Sequence, residues 1–144
     1  MRAKILTRWG VSLALTALVL AGCKKANRAA TIDPDSADAT VQKIMEQGVL
    51  LSDAVKRKDF ATVDDQAYYL QGLTKALDSR LDAEQKQRLK AILDEVARVA
   101  EELDHSAGRR HQEATEASME KLQEVLREFE TQFKAEKEKK KKKK

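Results

Sequence analysis

The sequence predicts an all-α protein, an antiparallel up-down four-helix bundle. Three observations carry that expectation. Apolar residues recur at spacings of three and four in four separate stretches, which lines one face of a helix each time. Aromatic residues are only 4% of the chain and runs of β-branched residues are few, which argues against a sheet. Ala, Leu, Glu, Lys, Gln and Arg dominate the second half, and these side chains lose little rotamer freedom in a helix.

The first stripe is Val41, Ile44, Gly48, Leu51 and Val55. It ends at the polar turn Lys56-Arg57-Lys58-Asp59, where Asp59 is placed to cap the next helix. The second stripe runs through Phe60, Val63, Ala67, Leu70, Thr74 and Leu77, and Asp78-Ser79-Arg80 closes it. Asp82 followed by Gln85 has the spacing of a capping box for the third helix. That helix carries Leu89, Ile92, Val96, Val99 and Leu103, with Gly108 as the expected C-terminal stop before Arg109 and Arg110. The fourth stripe is Thr115, Met119, Leu122, Leu126, Phe129 and Phe133. Helices of roughly 20, 20, 25 and 30 residues joined by short turns imply antiparallel neighbours. Two long hairpins that pair only on dimerisation would use the same pattern.

A shift of 49 residues aligns Ile44 with Leu93, Leu50 with Val99, Leu70 with Met119 and Leu77 with Leu126, and sets Asp59 on Gly108. Forty-nine is seven heptads, so heptad-patterned helices match at this shift with or without common descent.

Four segments follow: a signal over 1–22, a disordered tether over 23–37, the bundle over 38–135 and a poly-Lys tail over 136–144. The signal opens with Arg2, Lys4 and Arg8, followed by an uncharged, mostly apolar stretch of 14 residues from Trp9 to Gly22. A bilayer-spanning helix needs about 20 such residues, so the stretch reads as the apolar region of a signal peptide. Leu20-Ala21-Gly22-Cys23 resembles the lipobox of bacterial lipoproteins. The resemblance implies recognition of Leu20, Ala21 and Gly22 by the lipoprotein signal peptidase and cleavage before Cys23. It implies a diacylglyceryl group on the Cys23 thiol and an acyl chain such as palmitate on the new amine. Two or three acyl chains make anchoring stable where one is marginal. In diderm bacteria, lipoproteins without Asp after the cysteine tend toward the outer membrane, facing the periplasm. Lys24 and Lys25 stand there. Residues 24–37 hold one large apolar residue, Ile32, and the only proline, Pro34, too little to bury a surface.

The net charge of +4 hides a segregation. From Thr31 to Ala135 there are 22 acidic and 15 basic residues, a net of −7, whereas Glu136 to Lys144 carries seven Lys and two Glu. A basic pI of this origin does not mark a nucleic-acid binder. Lys137 and the run Lys139, Lys140, Lys141, Lys142, Lys143 and Lys144 would repel one another and stay extended unless they meet anions. Lipopolysaccharide phosphates, acidic lipids and peptidoglycan carboxylates are the anions of an envelope. The layout is similar in part to the murein-linked outer-membrane lipoprotein, with lipid at one end, helix between and Lys at the other. That protein is a single long helix and its end is not a lysine run.

Few residues suggest chemistry. One cysteine allows no internal disulfide and no zinc-finger set. His105 and His111 flank the third turn without partners at ligand spacing. Periplasmic haem bundles of the b type use a Met and a His at one end; here Met45 lies about 18 Å down the helix axis from that turn at 1.5 Å per residue. There is no CxxCH, no catalytic Ser/His/Asp set, no phosphate loop and no HExxH. Glu116, Glu120, Glu124 and Glu128 form an acidic row at i, i+4 spacing that reads as a solvated face relieved by Lys121 and Arg127. Of Tyr68 and Tyr69, one ring is expected to pack and the other to lie at the rim. The expected function is a membrane-anchored helical binding or structural module with an unidentified protein partner, not an enzyme, with no metal and no cofactor. The alternative is a carrier of a small ligand or cofactor in the bundle core.

Overall fold

A computed structural model describes residues 36–142. Leu20, Ala21, Gly22, Cys23, nearly all of the tether, and Lys143 and Lys144 lie outside the described residues. Four helices follow one another: α1 (Ala37–Lys56), α2 (Phe60–Arg80), α3 (Ala83–Gly108) and α4 (Gln112–Lys142). No strand occurs among the described residues.

Each helix begins on a side-chain cap that satisfies an amide the helix leaves unpaired. Ser36 Oγ accepts from the Ala39 amide at 3.2 Å, and Asp59 Oδ1 accepts from Thr62 at 3.2 Å. Asp82 and Gln85 form the expected capping box, each accepting from the other's backbone at 2.9 and 3.3 Å. For α4 the acceptor is His111 Nδ1, 3.3 Å from the Ala114 amide.

The helices form a closed ring in which α1 meets α2, α2 meets α3, α3 meets α4, and α4 returns to α1. Every residue of the four predicted stripes is buried except Phe60, which is half-buried against the core. Ala54, Leu73, Ala100 and Ala107 add to the core from positions flanking the stripes. The α4–α1 junction is the sparsest. There Gly48 gives its side-chain space to Leu126, whose Cδ1 lies 2.5 Å from where a Cβ would stand.

The third helix stops at Gly108, where expected. Gly108 is the last helical residue and its φ is not positive; the left-handed residue is Arg110, at φ 55°. The same geometry ends α1, with Lys58 at φ 57°. In both turns the left-handed residue's amide bonds back three residues and the next amide bonds back five, the Schellman pattern. A Cβ at Gly108 would stand 3.4 Å from Asp64 Oδ1 of α2, an ordinary contact, so neither backbone nor packing demands glycine there.

The two turns therefore superpose at a shift of 52 residues, which places Asp59 on His111. At that shift the buried sets also coincide. Ile44, Leu51, Val63, Leu70 and Leu77 fall on Val96, Leu103, Thr115, Leu122 and Phe129, all buried. The 49-residue alignment matches apolar letters and misplaces the turn by three residues.

The end of α4 departs from the expected extended tail. Helix continues past residue 135 through Lys142, and Glu136 is buried. Arg88 of α3 pairs with it across the bundle, and Lys139 pairs with it from within α4.

Candidate functional site

The bundle has two polar ends, and the topology decides what each presents. The start of α1, the α2–α3 connection and the end of α4 share one end. The α1–α2 and α3–α4 turns share the other.

At the first end, Lys137 Nζ reaches Asp38 Oδ2 at 2.8 Å, tying α4 to the first turn of α1. Arg88 of α3 donates to both oxygens of Glu136, at 3.2 and 2.9 Å, and also to Glu84. Lys139 reaches Glu136 at 3.1 Å. Burial alone would raise the Glu136 pKa, but the hydrogen bonds from Lys139 and Arg88 outweigh it and hold the carboxyl below its ordinary range. Lys86 approaches Asp78 at 3.8 Å. Lys137 and Lys139 thus face carboxylates within the bundle, while Lys141 and Lys142 are exposed and make no ion pair among the described residues.

At the second end, Lys56, Arg57, Lys58, Arg109 and Arg110 are exposed. Lys56 approaches Asp53 at 3.7 Å. Hydrogen bonds from the Thr62 hydroxyl and amide, with Arg57 nearby, lower the Asp59 pKa. His105 and His111 are exposed, and His111 is engaged as the α4 cap. Among the described residues no three His, Cys, Asp or Glu side chains come together as a metal would need.

Along the sides, the α1–α4 junction leaves two grooves of about 460 and 300 Å³ that share Met45. A third, of about 600 Å³, runs between α2 and α3 beside Leu93. The interior is filled by Phe129, Ile44, Leu51, Leu70, Leu103 and their neighbours. Among the described residues no buried side-chain polar atom lacks a hydrogen-bond partner.

Glu116, Glu120, Glu124 and Glu128 are all exposed. Lys121 turns away from this row toward Glu95 and Glu102 of α3, at 4.0 and 3.8 Å. The row is moderated instead by Gln112, bonded to Glu116, and Gln132, 3.0 Å from Glu128. Tyr69 packs against the core, and Tyr68 is exposed. Sequence reasoning missed Asp38, Arg88 and Glu136 as the frame that holds the lysine-rich end. Arg88 and Glu136 are 48 residues apart, and no local pattern joins them.

No protein-family model, no curated protein and no solved structure matches the chain.

Proposed function

We propose that this chain is a lipid-anchored lipoprotein of the bacterial cell envelope whose helical bundle works as a binding or structural module. The observation that carries the reading is the order of segments. An apolar stretch too short to span a bilayer ends at Leu20-Ala21-Gly22-Cys23, and a short polar connection follows. A bundle with a filled interior and charged ends completes the chain. The filled interior favours recognition at the surface over carriage of a ligand in the core. The anchor's partner is the membrane, with the outer membrane facing the periplasm favoured by Lys24 and Lys25. The lysine-rich end of α4 is the second contact, with an anionic envelope surface, and a protein partner remains to be captured from the native envelope.

Intact-mass analysis of the protein purified from membranes tests this. A chain beginning at Cys23 and carrying diacylglyceryl and acyl groups is expected, and Cys23→Ala should leave an unprocessed, unlipidated precursor. An unmodified wild-type chain beginning elsewhere would falsify the reading.

A further inference from the structure

The lysine run sits at the same end of the bundle as the start of α1, where the connection to Cys23 leaves. We infer that the end of α4 binds the acidic headgroups of the bilayer that holds the lipid and stands the bundle on that membrane with its two Schellman turns outward. The inference rests on the lipid-anchor reading above and specifies which anionic surface the lysines meet.

Three observations converge on it. The Lys137–Asp38 contact fixes the last turns of α4 beside the first turn of α1, so lysines and tether leave the bundle together. Lys137 and Lys139 are matched by Asp38 and Glu136, which leaves Lys141 and Lys142 exposed at the helix end and continues into Lys143 and Lys144. A helix C-terminus also favours cations there. Finally, the segment Thr31–Ala135 is net acidic, so an anionic bilayer repels the flank of the bundle and attracts this end.

At the other basic end Lys56 is matched by Asp53 and Arg57 lies near Asp59, while Lys58, Arg109 and Arg110 are exposed. What separates that end from the anchor is distance: it lies about 30 Å away, the length of the 20-residue α1 at 1.5 Å per residue. Twelve residues lie between Cys23 and Ser36, and the connection reaches at most about 45 Å fully extended. Turning the bundle over would stretch that connection along the whole body, at a large loss of chain entropy. Lipid and lysines at one end act together without strain, and one acts on the other through high local concentration.

The test uses the chain from Cys23 to Lys144, which contains the whole core. Coupling the only cysteine to a maleimide lipid supplies the anchor chemically, whether or not cells lipidate it. The chain from Cys23 onward has no tryptophan, so Lys142→Trp and Lys58→Trp each add a single donor for transfer to dansyl headgroups. In vesicles containing phosphatidylglycerol at low salt, the Lys142→Trp chain should show strong transfer that falls in high salt and in pure phosphatidylcholine. The Lys58→Trp chain should show weak transfer throughout. The unanchored Cys23→Ala chain should co-sediment with the anionic vesicles, each lysine contributing about fivefold in affinity. Changing Lys139 through Lys144 to Gln should weaken it at least about a hundredfold. Stronger transfer from the Lys58→Trp chain, Lys142→Trp transfer indifferent to lipid charge, or preferential binding to purified peptidoglycan would each overturn the inference. A failed lipid reading shows separately, as unmodified Cys23 in the native protein.

Discussion

Truncating Leu122 to alanine tests the packing most directly. Leu122 is fully buried where α4 meets the core. Removing three carbons forfeits about 2.4 kcal/mol at about 0.8 kcal/mol each. A residual cavity brings the cost to about 3–4 kcal/mol, within the range for buried leucines. At roughly 4 °C per kcal/mol for a domain of this size, the melting temperature should fall by about 12–16 °C. Leu93→Ala removes the same atoms beside the open α2–α3 groove, where neighbours can close in, so about 2–3 kcal/mol is expected. Leu50 is 55% exposed, and Leu50→Ala should stay within about 0.5 kcal/mol. Urea titration followed by circular dichroism at the helical band measures all three. A Leu122→Ala cost below about 1 kcal/mol, or equal losses for Leu122→Ala and Leu50→Ala, would refute the core assignment.

Three further outcomes follow from the caps and the ion cluster. Asp82→Ala removes the capping box of α3 and should cost about 1 kcal/mol in the same titration. His111→Asp places a better acceptor and a negative charge at the start of α4, and should raise stability by about 0.5–1 kcal/mol. Glu136 has a lowered pKa in the folded chain, so its contribution is complete above the unfolded value of about 4.3. It disappears as pH falls through the lower folded value. Glu136→Gln should therefore flatten the loss of stability on the acid side, and identical pH profiles for the two chains would contradict the Arg88–Glu136–Lys139 arrangement.

The helices were legible because burial follows period. Ile44, Leu70, Val96 and Leu122 announce their faces within a few residues of chain, and Asp59 and Asp82 sit in front of helices as caps should. The turn after α3 was legible in place but not in conformation. Gly108 marks where α3 stops, and glycine is the residue that usually takes a left-handed conformation, yet the chain places that conformation on Arg110. Composition likewise set the bundle's limit at residue 135, because Glu136 to Lys144 reads as a solvated run. The turn beyond 135 is tied to Arg88 and Asp38, partners distant in sequence. The lysines were legible as a basic end, but their position beside the start of α1 follows only from four antiparallel helices closing into a ring.

The likeness of the two halves has a consequence for how many chains make one folded unit. Each hairpin presents to the other a surface of the same spacing, and only Leu81 and Asp82 lie between α2 and α3. Leu81 is tucked into the core and Asp82 starts α3 with its capping box, so these two residues fold the chain back on itself. Were that corner straightened, α2 and α3 would run on as one rod. The hairpins could then close only on those of a second chain, giving an exchanged dimer with the same interior contacts. The one-chain bundle thus turns on a corner two residues wide.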